Sequence, residues 1–434
     1  MRAGTRSARQ RAAAIDEADS IGQTFRVKIG HASRHVHDCF GQVIIRSRTT
    51  SASHPKAALN QTSQQTLTLY PAYEDQQTKF ARAFAILRDA IEQRAFPGAS
   101  LAVTHKRHLI ASHGFGRFTY DETAPQVTRE TVFDIASVTK AVATATMAMI
   151  LFERALLKLD TPVHAILPEF ASLSPAHQRA RREAVTVRML LAHSSGLPAY
   201  EKLFAFAQNR SELLRAAMTT PLAAPPASRA EYSDIGFILL GELLERIAGE
   251  PLDQFAQREI FDRLGLTRTW FVPPLGMRQQ IPPTEEDRTF RKRVIQGEVN
   301  DENAWVMGGV SGHAGMFASA PDLAAFAECM LQGGAPLARP TTVALFTKRE
   351  ESPLGTSRAL GWDTPSPPSS SGTRFSLPSF GHLGFTGSSL WIDPKRQLSV
   401  TLLTNRTWPD RTSQLIREVR PRLHDSIVEV IEGA

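Results

Sequence analysis

Three short stretches of this chain carry side chains suited to acyl-transfer chemistry. Ser137-Val138-Thr139-Lys140 sets a hydroxyl and an amine three residues apart, which on a helix puts them on one face and within reach of each other. A serine hydroxyl is a poor nucleophile until a neighbour takes its proton. Burial disfavours the ammonium form of lysine and pulls its pKa down from about 10.4, so a buried Lys140 is expected to move toward the neutral base. The second stretch is Tyr232-Ser233-Asp234, and the third runs Gly381-His382-Leu383-Gly384-Phe385-Thr386-Gly387. A Ser-x-x-Lys match alone says little, because ten lysines among many serines give about one by chance. Ser53-His54-Pro55-Lys56 is such a match; it holds a proline and lies in a polar stretch, so only Ser137 is retained.

The elements around these stretches set their context. Ser137 opens a helix whose next twelve residues, AVATATMAMILF, carry no charge, the signature of a helix buried on all sides. Its N-terminus offers a positive potential to a developing oxyanion. Tyr232-Ser233-Asp234 heads a second apolar helix, IGFILLGELLERIAG. Phe80, Phe84, Leu87 and Ile91 form an amphipathic stripe that ends before Pro97. The runs 99–105 and 108–114, and again 388–393 and 397–405, read as hairpins. A last helix over about 412–431 is expected to break or kink at Pro421.

With strands at both ends and helices between, the predicted fold is α/β (α+β). An antiparallel sheet flanked by helices is built from about 73–135 and 345–434, with a mostly helical domain, about 136–344, inserted within it. Residues 1–72 lack periodicity and read as a basic, disordered extension.

The chain has 434 residues, 42% of them hydrophobic and 21% charged, which excludes a disordered or disulfide-built protein. No run of 18 apolar residues argues for a membrane span. Net charge is +7, yet residues 1–60 hold 10 basic against 4 acidic side chains, leaving the remainder near neutral. The charge therefore gives no footprint for nucleic acid on the body of the chain. His31, His35, His37 and Cys39 could collect a soft metal, but no second ligand group at regular spacing follows, and they are read as part of the tail. Cys39 and Cys329 form no metal or disulfide pattern. The basic start lacks the apolar core of a signal peptide, so the chain as written reads as cytoplasmic. Loops for phosphate binding, zinc-protease helices and the Gly-x-Ser-x-Gly elbow are absent.

Order and setting of the three stretches resemble the serine β-lactamase and penicillin-binding protein family, most of all its branch of class C β-lactamases, D-alanyl-D-alanine carboxypeptidases and related esterases. That family carries Ser-x-x-Lys, Tyr-x-Asn and Lys/His-Thr-Gly. FPGASLAV (96–103), TVFDIASVTK (131–140), MLLAHSSGLP (189–198) and the stretch 302–327 add to the likeness, which covers roughly 75–434. The resemblance implies a β-lactamase/transpeptidase-like fold and a covalent acyl-enzyme on a small ester, amide or peptide. It implies no cofactor and no metal, and it leaves the oligomeric state open. Ser137 matches the nucleophile, Lys140 its base or electrostatic partner, and Tyr232 the proton shuttle to the leaving group. The N–H groups of Ser137 and Phe385 match the oxyanion hole. Asp234, His382, Gly384, Thr386 and His313 are the expected substrate contacts. Family members often work outside the cytoplasm, which offers an extracytoplasmic alternative.

Three departures bear on substrate. Asp234 stands in place of Asn, His382 in place of Lys in many members, and Leu383 in place of Thr. A carboxylate is added and a cation and a hydroxyl are lost, which weakens attraction for an anionic substrate. An uncharged ester is therefore favoured, with a D-alanyl-D-alanine carboxypeptidase or β-lactamase, or a penicillin-binding sensor without turnover, as the alternatives. Asp234 has a second reading, an ion pair with Lys140 that keeps the lysine charged and shifts base work to Tyr232. His193 is read as a turn-stabilising residue. Asp301-Glu302-Asn303 and the glycines before His313 could line the cleft. Ser319 and Asp322 form a helix cap. Met147 and Met149 are core, and Arg179, Arg181 and Arg182 a solvated turn.

Overall fold

The computed structural model describes residues 69–433. The expected metal-like cluster at His31–Cys39 and most of the expected extension lie outside the described residues. A six-stranded sheet is assembled from the two ends of the chain. Its strands are β1 (Tyr70–Pro71), β2 (Gly98–His105), β3 (His108–Gly116), β4 (Phe380–Leu383), β5 (Ser389–Asp393) and β6 (Leu398–Thr404). The order is β1-β3-β2-β6-β5-β4. All pairings are antiparallel except the short β1–β3 pair.

Two central strands join the chain ends, with Leu101 opposite Leu402 and Val103 opposite Val400. Every residue of β6 is buried, because helices cover both faces. On one face α1 (Ala81–Glu92) packs with the C-terminal helix α5 (Ile416–Glu432) over Phe84, Leu87, Trp391, Val400 and Ile427. On the other lies α4 (Ala320–Leu331), which the sequence boundary at 344 had placed in the inserted part. α5 runs through Pro421 without interruption. Pro421 is the sixth residue of the helix, so the N–H it lacks would have bonded the Arg417 carbonyl, and burial of Val419, Leu423 and Ile427 against the sheet offsets that loss.

The inserted part holds α2 (Ala136–Glu153) and α3 (Asp234–Ala248) side by side in the larger core. The span Ala136–Glu153 is long and apolar enough to cross a membrane, but it is mostly buried inside this core. A small sheet of Val132–Asp134, Phe317–Ser319 and Thr269–Trp270 joins the segment before Ala136 to the inserted part. Met147 and Met149 are buried as expected. The arginine turn is a partial correction: Arg179 and Arg181 are exposed, whereas Arg182 is fully buried. Its guanidinium lies over the Phe170 ring and bonds the carbonyls of Phe170, Met218 and Thr220, supplying donors to C=O groups where two helices end.

Candidate active site

The turn that carries Ser137 is built by a buried carboxylate. Asp134 ends the strand Val132–Asp134, and its Oδ1 accepts the N–H of Ala136 at 2.7 Å, a turn in which an Asp side chain stands in for backbone. Ala136 is held at φ 46°, a costly conformation for a residue with a Cβ. Ser137 follows in a tight 3-10 turn over Ala136–Val138 and then the wide π turns of Lys140–Ala145. Ser137 in the tight turn and Lys140 at the head of the wide one meet across the junction of the two. From Thr131 to Leu151 every residue is buried except Ser137.

Lys140 Nζ donates three hydrogen bonds: to Ser137 Oγ at 2.9 Å, Asp234 Oδ1 at 2.6 Å and the His313 carbonyl at 2.8 Å. Three donors are what an ammonium has, and all are committed. Burial works against that charge, but Asp234 and Tyr232 outweigh it and hold the lysine above its ordinary pKa. The expected drop toward a neutral base is therefore not found. Asp234 is correspondingly the partner of Lys140 rather than a free substrate contact; it lies in the first turn of α3, at the helix's positive end, behind the cap in which Ser233 Oγ accepts the Gly236 N–H.

His313 is likewise displaced from its expected place at the substrate. Its ring is fully buried, bonded to Ser311 Oγ and Asp301 Oδ1, both at 2.8 Å; only its carbonyl serves the site. Asp301 is itself pushed by burial toward neutrality, yet the His313 contact brings its pKa down to about 2. The loop reaches Lys140 because Gly241 and Gly312 touch backbone to backbone: a Cβ on Gly241 would sit 2.9 Å from Gly312 Cα.

On the facing side, β4 ends against the Ser137 turn. A Cβ on Gly384 would lie 2.4 Å from the Ile135 carbonyl oxygen, so only glycine allows this approach. Thr386 also departs from expectation. Its hydroxyl is fully buried and donates to the Asp134 carbonyl at 2.7 Å, tying the loop to the Ser137 turn instead of facing the cleft. The N–H groups of Ser137 and Phe385 donate to no acceptor among the described residues. The loop's carbonyls, by contrast, are held from behind. Arg420 bonds those of Gly384, Gly387 and Ser388, and Arg406 Nε bonds that of Phe385. Burial lowers Arg420 to about 9.

The Tyr232 ring sits at the centre of the remaining side chains. Lys140 Nζ is 4.9 Å and Arg358 Cζ 5.4 Å from its centroid; the His193 ring stands 4.7 Å and the His382 ring 6.0 Å away. Burial raises the Tyr232 pKa, with Lys140 opposing. His382 is neutral, lowered to about 3 by burial and the Lys140 charge. Its Nδ1 bonds the Leu383 carbonyl at 2.9 Å and its buried Nε2 has no partner among the described residues. His193 Nδ1 accepts the Ser233 N–H at 3.0 Å, which fixes the tyrosine's backbone and agrees with the turn-stabilising reading.

The Beta-lactamase family model matches residues 83–420. The chain belongs to the beta-lactamase family. It is accordingly a serine hydrolase working through an acyl-enzyme on a small ester or amide. Among curated relatives of this beta-lactamase-family hydrolase, an Escherichia coli K12 protein named "Putative D-alanyl-D-alanine carboxypeptidase" is 33% identical over 348 residues, 72% of this chain and 79% of that one. A Salmonella agona protein of the same name is 31% identical with the same coverage. The solved structure of EstCE1, "a hydrolase with promiscuous acyltransferase activity", superposes with a TM-score of 0.66 at 22% identity, covering 80% of this chain and 99% of that one. A class C β-lactamase from Rhodobacter sphaeroides gives 0.62 at 24% identity, over 82% and 99%. These two likenesses confirm the β-lactamase-like fold.

Asp134, Arg358, Arg406 and Arg420 escaped the sequence reading. Asp134 had a local signal, an aspartate two residues before an Ala-Ser turn. The arginines had none, because only the fold brings them to the site.

Proposed function

We propose that this hydrolase cleaves a small amide or ester by two acyl transfers on Ser137, with Tyr232 moving the proton and Lys140 as a fixed ammonium. The triple donation by Lys140 carries this reading. A lysine that must remain charged to satisfy three acceptors has no lone pair for the serine proton; what it supplies is stabilisation of negative charge developing on Ser137 Oγ.

In acylation the Oγ–carbonyl bond forms while the scissile C–N or C–O bond breaks. Tyr232 accepts the Ser137 proton and releases its own to the leaving atom, so it begins and ends neutral, as its raised pKa requires. The unpaired N–H groups of Ser137 and Phe385 receive the carbonyl oxygen as it gains charge. Water then attacks the ester; its proton returns through Tyr232 to Ser137 Oγ, and the acid product leaves.

Intact mass after exposure to a fluorophosphonate, followed by turnover of p-nitrophenyl acetate, nitrocefin and a D-alanyl-D-alanine peptide, tests the reading. The native chain should gain one adduct and Ser137→Ala none, with turnover of at least one substrate lost by about 10³-fold or more. A stable adduct without turnover of any substrate would instead favour a penicillin-binding sensor. Equal labelling of Ser137→Ala would remove Ser137 as nucleophile.

A further inference from the structure

The loop from Gly384 to Ser388 is held by a full charge. Arg420, on α5, is 6% exposed and spends its hydrogen bonds on main chain: Nη2 donates to the Gly384 carbonyl at 2.9 Å and the Ser388 carbonyl at 2.7 Å, and Nε to the Gly387 carbonyl at 3.2 Å. No carboxylate pairs with it among the described residues, and the charge that bears on it is a second cation, Arg406. A buried charge without a counter-ion is costly, and neutral donors could hold three carbonyls as well. The Gly384 carbonyl and the Phe385 N–H belong to one peptide unit. In a trans peptide the two point in opposite directions, so a guanidinium bonded to the carbonyl from behind aims the N–H away from itself, and that N–H donates to no acceptor among the described residues. The Ser137 N–H has a weaker counterpart. The carbonyl of its peptide, that of Ala136, accepts the Thr139 hydroxyl at 2.6 Å, and the same hydroxyl oxygen accepts the Met316 N–H at 3.2 Å, a chain of neutral donors.

We propose that Arg420 is a positioning residue for the oxyanion: acting through the Gly384–Phe385 peptide, it fixes that peptide's plane and polarises it, so that the Phe385 N–H is the stronger of the two donors. The proposal rests on the function given above, in which the N–H groups of Ser137 and Phe385 receive the carbonyl oxygen. A charged donor bonds roughly twice as strongly as a neutral one, and hydrogen bonds at the two ends of one peptide reinforce each other. Negative charge gained by the oxygen is thus answered by a cation one peptide away, which never touches substrate and transfers no proton. The missing counter-ion follows from the same role, because a carboxylate beside Arg420 would cancel its field at the Phe385 N–H. Arg406 holds the next peptide, with its Nε donating to the Phe385 carbonyl at 2.7 Å.

Phosphonylation of Ser137 by a fluorophosphonate tests this, because the phosphonyl oxygen takes the place of the substrate's carbonyl oxygen and the adduct is stable. Arg420→Gln keeps a neutral donor and removes the charge, whereas Arg420→Lys keeps the charge. The readouts are the labelling rate by intact mass, kcat and KM for p-nitrophenyl acetate, and the phosphorus NMR shift of the adduct. Arg420→Gln should lose about 10- to 100-fold in labelling rate and kcat, a part of the roughly 10²- to 10³-fold that a whole oxyanion donor is worth. Its KM should be nearly unchanged and its phosphorus resonance displaced, and Arg420→Lys should retain most of the native values. Equal losses in the two variants, or a loss confined to KM with an unmoved phosphorus resonance, overturn the role of the charge. Where neither variant folds, the native adduct decides: the Phe385 amide proton, identified in [15N]Phe-labelled chain by its absence in Phe385→Leu, should lie downfield of every other phenylalanine amide, and a place among the others overturns the polarised donor. Failure of the native chain to label at Ser137 overturns instead the acyl-enzyme on which the proposal rests.

Discussion

Replacing Asp234 by Asn removes the charge that holds Lys140 protonated while keeping the shape of the side chain. The ammonium would then be fully buried with one carbonyl, one hydroxyl and one amide for company. Breaking a buried pair by removing one partner costs about 3–5 kcal/mol, but here the cost has a ceiling, because the lysine can shed its proton. Bringing a lysine of ordinary pKa about 10.4 to its neutral form costs about 4.6 kcal/mol at pH 7 and about 1.9 kcal/mol at pH 9. The penalty of Asp234→Asn should therefore shrink by about 1.4 kcal/mol per pH unit between pH 7 and 9. The sign follows from proton binding: in the variant the folded pKa lies below the unfolded one, the unfolded chain binds more protons, and stability rises with pH. In the native chain the Lys140 pKa is raised, so its contribution is complete below about 10.4 and is lost only above it.

Urea unfolding of both proteins at pH 7, 8 and 9 measures this directly. The same substitution should change the chemistry. A neutral Lys140 has two N–H donors and a lone pair that can accept the Ser137 O–H, so the lysine becomes a base. The native chain needs Lys140 charged and Tyr232 neutral, so these two groups limit its kcat/KM on the alkaline side only; a variant that works through a neutral Lys140 should gain an acidic limb, as a property of the coupled groups rather than of either residue. A penalty that is equal at all three pH values, with no new acidic limb, would refute the charged-lysine account.

Gly384→Ala should cost about 1–3 kcal/mol by the overpacking of a tight interior contact. It should also lower kcat more than KM, because the added methyl meets the Ile135 carbonyl oxygen and parts the two N–H groups; denaturation midpoints and ester kinetics together check it, and an active, fully stable variant would contradict the close approach. His424, remote from Ser137, is lowered to about 4 by burial, with its Nδ1 bonded to the Ser370 carbonyl. Its unfolded pKa is about 6.5, so its neutral form contributes stability that is lost as pH falls from about 6.5 toward 4, at about 1.4 kcal/mol per pH unit. His424→Gln should flatten the stability–pH slope in that window by this amount, and an unaltered slope would show that the ring is not held neutral.

The parts of the site that were legible are those written in adjacent residues. Ser137 and Lys140 share a turn; the uncharged run after them declares burial; the hairpins at 98–116 and 389–404 carry their own alternation and turns. What was hidden depends on residues far apart in the chain. The charge state of Lys140 is decided by Asp234, 94 positions away, and burial alone points the opposite way. Arg179, Arg181 and Arg182 look alike in sequence, yet only Arg182 faces two helix ends. Thr386 and His313 have the chemistry of substrate contacts, but the fold turns the hydroxyl of one and the ring of the other inward.

These hidden contacts form one electrostatic arrangement. An aspartate at position 234 alone would repel an anionic substrate, and a neutral His382 alone would fail to attract one. Paired with Lys140, however, the aspartate has no net field to impose, and it fixes a cation under Ser137 Oγ at every pH below the lysine's raised pKa. That same commitment removes Lys140 from the role of base and from contact with substrate. Proton transfer is left to a tyrosine that is neutral at rest, which suits a relay exchanging one proton for another better than it suits a base drawing one off. A neutral imidazole beside that tyrosine is then consistent, since a third cation at position 382, added to Lys140 and Arg358, would pull Tyr232 toward ionisation.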